Sequence, residues 1–417
     1  MTHATDILDS AYDVVVVGGR CAGAATALLL ARQGLDVLVV ERGMRGADTL
    51  STLALMRAGV LQLSRWGLLD AIKAAGTPRI ETTTFHYGGE PLEIRIKPRG
   101  EVDALYAPRR TLLDPLLADA AAASGAHVAY NTRVRQLRRD DRGRVCGVVV
   151  ESGGVARSIA ASLVIGADGS DSTVAKLVAA KPYRTGAHSS AVIYTLARGL
   201  DVRGYHWHYG PGGSVGAIPT NHGDTLVFVA EARTRFIETV RVDLASSFRE
   251  IVREISPEFA DMIETAAVGA YHGFAGRPGH IRPAWGRGWA LVGDAGYFKD
   301  PITAHGITDA LRDAELLAQA VVRGTDAALA IYQGIRDELS VRLFDLSDAI
   351  ASFDWDLPQV QSWHKSLSEE MAREVSYLTE LPVLQELAVS RRLIGRREHC
   401  GHPERPMHCY GSANTTS

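Results

Sequence analysis

The sequence of 417 residues predicts an α/β fold: a Rossmann-type nucleotide-binding domain, an inserted domain built on a mostly antiparallel β-sheet, and C-terminal helices. Three observations lead to this prediction. A strand, a glycine-rich turn, a helix and a second strand follow one another between residues 12 and 41. Alternating β-type segments occur at about 81–105 and 186–283. From residue 326 the pattern is helical to about residue 397.

The N-terminal unit has the order of elements that a dinucleotide site requires. Residues 12–18 form a short apolar, β-branched run, which is typical of a buried parallel strand. A glycine-rich turn follows at 18–23, then a segment of helix-forming composition at 24–33, and then a second strand at 35–40 that ends at Glu41. Without this context, the same glycines would indicate only a bare strand and helix with no ligand.

Each residue of the turn has its own task in such a site. Gly18 permits the tight turn out of the strand, Gly23 lets the helix pack close to the sheet, and Glu41 can accept hydrogen bonds from a ribose. The N–H groups at the helix N-terminus attract a pyrophosphate. Arg20 departs from the pattern because it stands where the second glycine of G-x-G-x-x-G belongs, although its guanidinium could itself meet phosphate. The predicted binding residues of this unit are Gly18, Gly19, Arg20, Ala22, Gly23, Glu41 and Arg42.

Two later segments also place a carboxylate after an apolar strand. The first is a buried strand that runs into an Asp-Gly turn at Asp168. The second is a strand that ends at Asp294, and the loop after it leads through Pro301 to a helix N-terminus near Gly306. We expect both loops to converge with the first glycine turn on one cofactor.

These three ordered motifs, over about residues 12–350, resemble those of the group A flavoprotein monooxygenases, the para-hydroxybenzoate hydroxylase type. They also resemble those of two related groups, the geranylgeranyl reductases and the flavin-dependent halogenases. The resemblance implies that the Rossmann-type domain binds FAD and that NADPH or NADH is the co-substrate. Because no second strand–GxGxxG–helix unit is present, we expect the nicotinamide to dock transiently.

The resemblance also implies roles for individual residues. Asp294 would bind the ribityl chain, and the helix after Pro301 and Gly306 would direct its positive end to the N1/O2 edge of the isoalloxazine ring. Asp168 would serve both FAD and the nicotinamide cofactor. Arg110 lies in a segment similar to the family's Arg-x-x-Leu-Asp helix, which places it near the flavin; otherwise it is a surface arginine at a helix start.

Three positions depart from the family pattern. Tyr297 stands where many relatives have histidine, Ala304 replaces the first glycine of Pro-x-x-Gly-x-Gly, and Ala175 replaces an arginine that often follows Ser-Thr-Val. These departures leave the expectation of FAD intact. They bear instead on how NAD(P)H docks and on flavin movement.

The resemblance implies an enzyme, an FAD-dependent oxidoreductase. The first hypothesis is a monooxygenase that uses NAD(P)H and O2 to hydroxylate or epoxidise an aromatic or polyketide-like small molecule through a C4a-hydroperoxyflavin. The alternatives are reduction of isolated double bonds, favoured by the segment 205–209, and halogenation, although the Trp-x-Trp-x-Ile-Pro signature is absent before Pro219. A flavoprotein without turnover, retained for binding or redox sensing, is a further alternative.

Candidate catalytic residues come from the segment Tyr205-His206-Trp207-His208-Tyr209. Alternation along a strand puts the three large aromatic rings on one face and the two histidines on the other. One face could line an aromatic substrate pocket, with His206 or His208 as general base and Tyr205 beside it. The competing interpretation is an aromatic core stripe with exposed histidines. Further candidates of the same kind are Tyr87, Tyr106 and His272.

The expected domain limits follow from these segments. They are 10–80, 106–185 and 284–340 for the FAD-binding domain, 81–105 and 186–283 for the substrate domain, 341–397 for C-terminal helices, and 398–417 for a flexible tail. The tail contains His399, Cys400, His402, His408 and Cys409, but their spacing matches no zinc motif, so no metal is predicted.

Composition narrows the classes of function. A net charge of −3 gives no footprint for nucleic acid or an anionic membrane, and no apolar run reaches the length of a membrane span. Residues 1–10 lack the regions of a signal peptide, so we expect a cytoplasmic protein, a monomer or a homodimer. None of the four cysteines forms a Cys-x-x-Cys pair, which argues against a disulfide reductase.

Overall fold

The computed structural model describes residues 10–49, 51–238 and 242–384. Within these ranges the chain forms two eight-stranded sheets, a small three-stranded sheet and eleven α-helices. Strands and helices are numbered in chain order. The predicted tail, 398–417, lies outside the described residues, as does the end of the predicted helical region, 385–397.

The first sheet contains the predicted βαβ unit. Its strands are β1 Ala11–Val17, β2 Val37–Val40, β5 His127–Ala129, β6 Thr132–Arg139, β7 Val145–Ser152, β8 Val155–Gly166, β17 Trp285–Gly286 and β18 Trp289–Leu291. Strands β18, β8, β1, β2 and β5 lie side by side in that order, and all are parallel. The first half of β8 turns away and pairs with β7 in an antiparallel meander with β6.

Both faces of the parallel strands are covered, which explains their continuous apolar sequence. On one face, Val14 and Val16 pack into the core with α1 (Cys21–Arg32), α4 (Arg110–Ala123) and α9 (Gly306–Arg323). On the other face, β1 packs against the β6–β8 meander. The carboxyl ends of the strands, with the loops that follow them, therefore form an edge at which ligands can bind.

The second sheet joins two distant parts of the chain. Its strands are β3 Thr82–His86, β4 Leu92–Arg95, β10 Ser190–Arg198, β11 Tyr205–Gly210, β12 Gly213–Pro219, β13 Asp224–Ala232, β14 Ala267–Val268 and β15 His272–Phe274. Their order is β14, β10, β13, β12, β11, β3 and β4, and β15 also pairs with β10. All pairs are antiparallel except β3 with β11, so the predicted fold class is confirmed.

Three helices in this region were not predicted. They are α6 Arg233–Glu238, α7 Leu244–Ile255 and α8 Pro257–Glu264, and they cover the outer face of the second sheet. The inner face of the second sheet shares one hydrophobic core with α9 and the first sheet. Strands β11 and β12 form a tight hairpin, in which Pro211 and Gly212 make the turn.

The C-terminal helices pack over both sheets. They are α10 Asp326–Ile350 and α11 Leu357–Glu380, and α10 runs across the limit expected at residue 340. The remaining elements are short: α2 Arg57–Arg65, α3 Leu69–Ala74, α5 Thr173–Leu177, β9 Arg184–Thr185, β16 His280–Ile281 and β19 Tyr297–Phe298. None of the helices in the described ranges combines the length and the apolar character needed to cross a bilayer.

Candidate active site

A cavity of about 740 Å³ extends from the carboxyl ends of the parallel strands to the inner face of the second sheet. Ten of the twelve predicted cofactor-binding residues line it. They are Gly18, Arg20, Ala22, Glu41, Arg42, Arg110, Asp168, Asp294, Pro301 and Gly306. The other two are not part of the lining: Gly19 lies in the loop after β1, and Gly23 lies in the first turn of α1.

Close backbone packing and backbone N–H hydrogen bonds fix the conformation of the glycine turn. Gly18 has φ +105°, a conformation that L side chains rarely adopt, and an added Cβ would lie 2.4 Å from the carbonyl oxygen of Ala167. The Gly19 N–H donates to Glu41 Oε2 at 2.7 Å, and the Gly43 N–H donates to Glu41 Oε1 at 2.7 Å. These two bonds fix the Glu41 carboxylate at the cavity wall, just beyond β2.

Helix α1 begins directly at the cavity. Arg20 occupies its N-cap position and makes no side-chain cap, and the first turn contains no acidic residue among the described residues. The first intrahelical bond runs from Ala24 N–H to Arg20 O, so the N–H groups of Cys21 and Ala22 have no intrahelical acceptor. The N-terminus of α1 therefore presents amide donors and a partial positive charge to an anion.

Arg110 is anchored rather than free on the surface. Its guanidinium donates to both oxygens of Asp114, one turn further along α4, at 2.9–3.0 Å. The Cys21 thiol donates to the same carboxylate at 3.0 Å. Burial raises the pKa of Cys21, so this thiol stays protonated and links α1 to α4 beside the cavity.

The two aspartates that follow β8 and β18 differ in their surroundings. Asp168 accepts hydrogen bonds at the start of α5, from Ser172 Oγ and from the Thr173 N–H at 2.6 Å, and it also lines the cavity. Asp294 has no hydrogen-bond donor for its carboxylate in the described part of the chain. Burial raises its pKa to about 6, against the opposing charges of Lys299 and Arg110. Asp294 is thus a carboxylate at the cavity whose hydrogen bonds are left to a ligand.

The loop before α9 is attached to the second sheet. Asp300 accepts from the Ser190 N–H at 2.7 Å and from Ser190 Oγ, and it also accepts from the Ile302 N–H at 3.0 Å. Ala304, which replaces the family's glycine, nevertheless adopts the left-handed conformation with φ +48°. Gly306, the first residue of α9, lines the cavity.

Sequence reasoning missed a buried ionic network behind this loop. Lys299 pairs with Asp309; Arg312 donates to Asp309 at 3.0 Å and to Glu374 at 2.9 Å; His305 Nε2 lies 2.8 Å from Glu374 Oε2. Lys299 and Asp309 line the cavity. Burial, reinforced by Arg312, lowers the pKa of Lys299 to about 7. The only sequence signal was the position of Lys299 between two recognised motifs.

The far end of the cavity is apolar and aromatic. Val192 and Tyr194 of β10, Leu226 of β13 and Phe274 of β15 line it from the inner face of the second sheet. None of the four was singled out from the sequence. His272, one of the further candidates, lies one step from this wall, since its ring stacks on Tyr194 at 5.2 Å.

The candidate catalytic residues on β11 do not line this cavity. Tyr205 is 1% exposed within the core, and His206 and His208 lie on the opposite face of the sheet, toward α8. The alternation of the two faces is as expected, but the cavity lies over β10, β13 and β15 rather than over β11. Tyr87 and Tyr106 are likewise absent from its lining, and Tyr87 contacts His364 of α11 instead.

Comparison with known proteins decides the family. Residues 11–346 match the model of the family described as FAD binding domain.

The chain belongs to the FAD binding domain family.

Three similar proteins represent three kinds of chemistry. The menaquinone reductase of Mycolicibacterium smegmatis is 26% identical over 341 residues, 76% of this chain and 78% of its own length. The kynurenine 3-monooxygenase of Salinispora tropica is 28% identical over 366 residues, 81% of this chain and 79% of its own length. A triple mutant of the flavin-dependent brominase Bmp2 has the same fold, with a TM-score of 0.76 and 18% identity over 88% of this chain and 95% of that one.

The protein is therefore an FAD-dependent oxidoreductase, and FAD is its cofactor. The cavity fits this cofactor in chemical type. It offers open amide donors at the N-terminus of α1, a carboxylate fixed beyond the second strand, the carboxylate of Asp294, which has no hydrogen-bond partner among the described residues, and an apolar far end. At Gly18 and Gly23 a side chain would collide with backbone, as close packing around a bound dinucleotide requires.

Proposed function

We propose that the protein is a monooxygenase that uses NAD(P)H and O2 to hydroxylate or epoxidise an aromatic or polyketide-like small molecule. One observation carries this proposal: a single cavity is lined both by the groups predicted to bind a dinucleotide and by the side chains of Val192, Tyr194, Leu226 and Phe274. An apolar substrate ring would lie against this second wall. One oxygen atom of O2 would enter the substrate and the other would leave as water, while NAD(P)H is oxidised.

The residues that would hold FAD follow from the cavity wall. The turn Gly18–Gly23 and the end of α1 would receive the pyrophosphate, and Glu41 would receive the adenosine ribose. Asp294 would bind the ribityl chain, and the N-terminus of α9 would face the ring edge that gains negative charge on reduction. Arg20, Arg42, Arg110 and Asp168 line the same space as further polar contacts.

Bound FAD would accept a hydride from NAD(P)H and, once reduced, activate O2. The protein's part is to orient the reactants and to exclude water from them. The apolar side chains of β10, β13 and β15 would exclude water from the reactants. Lys299, with its pKa lowered to about 7, is able to gain or lose a proton at the cavity near neutral pH.

A second candidate is a reductase of isolated double bonds. The similar menaquinone reductase favours it, and so does Lys299, because saturating a double bond requires a proton as well as a hydride. For a halogenase the support is a shared fold alone, at 18% identity.

The test compares turnover with and without oxygen. Purified full-length protein with FAD is given NADPH or NADH and a panel of phenols, aromatic amines and quinones, in air and anaerobically. The monooxygenase predicts products that carry ¹⁸O from ¹⁸O2, and no product without oxygen. Saturated products formed anaerobically would replace this proposal with the reductase. NAD(P)H oxidation that yields only hydrogen peroxide with every compound, or no oxidation at all, would count against both.

A further inference from the structure

Strand β4 is an uncovered edge of the second sheet. Among the described strands it pairs with β3 alone, and all four of its residues, Leu92–Arg95, are exposed. Leu92 lies opposite Phe85, which packs against the core on the inner face of the sheet, and Ile94 points to the same face. These two apolar side chains are 44% and 43% exposed. An edge of this kind is a template on which a further strand can pair.

The ladder between β3 and β4 decides which backbone groups face outward. The Ile96 N–H donates to the carbonyl oxygen of Glu81 at 2.8 Å, so Ile96 bonds toward β3. In an antiparallel ladder, residues that bond to a given neighbour alternate with residues that do not. Ile94 therefore also bonds toward β3, whereas the N–H and C=O groups of Glu93 and Arg95 point away from the sheet. A further strand would pair with these two residues.

Glu93 and Arg95 carry opposite charges along this edge. Neither side chain makes an ion pair or a hydrogen bond within the described part of the chain. Two copies of β4 related by a two-fold axis can use the outward groups in three registers. Like charges meet in two of them, in which Glu93 lies opposite Glu93 or Arg95 lies opposite Arg95. In the third, Ile94 lies opposite Ile94, and each Glu93 lies opposite Arg95 of the other copy, so both charge pairs are attractive.

We propose that β4 is a dimerisation strand, which pairs antiparallel with β4 of a second copy of this chain in this third register. Each pair of Glu93 with Arg95 then exchanges two backbone hydrogen bonds. The same register places Leu92 against Ile96 of the other copy, so the exposed apolar side chains of the two edges cover one another. The second sheets of the two copies would form one continuous sheet.

A second copy fits this edge because the charge pattern of β4 is complementary to itself. Charged side chains on many edge strands prevent pairing, but one charge of each sign at alternate positions opposes its own register only when the strands slip. Because β4 is short, the interface is small, and we expect a dimer that dissociates reversibly at micromolar concentrations. The inference is independent of the proposed reaction, since no residue of β4 lines the cavity.

Sedimentation equilibrium of the full-length, FAD-loaded protein at about 1–200 μM tests the dimer, a range that brackets a micromolar dissociation constant. Glu93→Arg and Arg95→Glu each turn both attractive pairs into like-charge pairs, so each should raise the dissociation constant of the dimer by about 10-fold or more. The double variant Glu93→Arg/Arg95→Glu restores opposite charges and should restore the wild-type constant. Asp141→Arg, on an exposed turn of the first sheet, should dimerise like wild type.

Cysteine cross-linking tests the register. Ile94 opposite Ile94 is a pair without backbone hydrogen bonds, in which the two Cα atoms lie about 4.5 Å apart, a distance that a disulfide can span. In a Cys400→Ser/Cys409→Ser background, Ile94→Cys should form a covalent dimer on mild oxidation. Leu92→Cys should not, because Leu92 faces Ile96 of the other copy.

Flavin content and circular dichroism confirm that each variant folds. Four results overturn the proposal. They are a monomer at every concentration, a dimer that neither single charge variant weakens, a double charge variant that dimerises no better than the single ones, and equal cross-linking of the two cysteine variants. In the first case the edge is free or is covered by a different protein.

Discussion

The carbonyl oxygen of Gly18 occupies the place of a side chain on Gly23: a Cβ added at Gly23 would lie 1.8 Å from it. The contact joins the end of β1 to the first turn of α1. Neither partner is a flexible side chain, so the clash can be relieved only by moving the strand or the helix. The distance between β1 and α1, and with it the shape of the cavity beside Gly18, is set by the absence of one methyl group.

Gly23→Ala should therefore destabilise the protein and reduce FAD binding. We expect a loss of about 1–3 kcal/mol in the free energy of unfolding, the usual cost of overpacking, together with a lower flavin content after purification. The matched control is Gly334→Ala, because Gly334 lies in α10 with open space around it. Removing that helical glycine should stabilise by about 0.5–1 kcal/mol. Equal effects of the two substitutions would refute the packing argument.

Asp294→Ala should weaken FAD binding without unfolding the protein. The carboxylate lines the cavity and has no partner among the described residues, so its removal leaves no buried donor unpaired. A hydrogen bond to a charged group contributes about 1.5–3 kcal/mol, which corresponds to a dissociation constant for FAD that is roughly 10- to 100-fold higher. Flavin fluorescence on titration of the apoprotein measures it. Asp141→Ala, an exposed turn residue, is the control, and an unchanged affinity in Asp294→Ala would contradict the assignment.

Lys299→Met should lower the reduction potential of bound FAD. The ammonium group lines the cavity and would stabilise the negative charge that the flavin gains on reduction. Because burial and Arg312 lower the pKa of Lys299 to about 7, this charge is present below pH 7 and is lost above it. The difference between wild type and variant, about 30 mV for an effect of about 1.4 kcal/mol, should therefore be larger at pH 6 than at pH 8.

Dye-coupled potentiometry measures both potentials. Lys73→Met removes a surface lysine that pairs with Asp70 outside the cavity, and it should leave the potential unchanged at both pH values. A Lys299→Met enzyme with the wild-type potential at pH 6 would show that Asp309 already neutralises this charge. In that case Lys299 would have a packing role only.

The sequence was most informative where a function depends on neighbours in the chain. The glycine turn, Glu41 and Asp294 were predicted because each follows a recognisable strand at a fixed spacing, and all line or support the cavity. The bond between His305 and Glu374 joins residues 69 positions apart, and that between Ser190 and Asp300 joins residues 110 apart. Such pairs arise from tertiary packing, and no local sequence pattern predicts them.

Two misses have different causes. Helix α7 had a readable signal, since Phe248, Ile251, Val252 and Ile255 recur at helical spacing after the capping residue Asp243. The position of Tyr205 away from the cavity had no such signal in the sequence. Alternation separates the two faces of a strand but does not reveal which strand lies over the cavity, and that depends on the order of strands in the whole sheet.

His364→Gln should flatten the pH dependence of stability. Burial lowers the pKa of His364 to about 4, and Tyr87 Oη lies 2.8 Å from its Nδ1. Between pH 6.5 and pH 4 the unfolded chain therefore binds a proton that the folded chain does not, so this residue costs stability as the pH falls through that window. At pH 5 the cost relative to pH 7 is about 2 kcal/mol.

Thermal unfolding at the two pH values should show a smaller loss of stability in His364→Gln than in wild type. His222→Asn, which changes an exposed histidine, should lose as much stability as wild type. A variant with the wild-type slope would mean that other buried histidines, such as His208 and His280, account for the acid sensitivity.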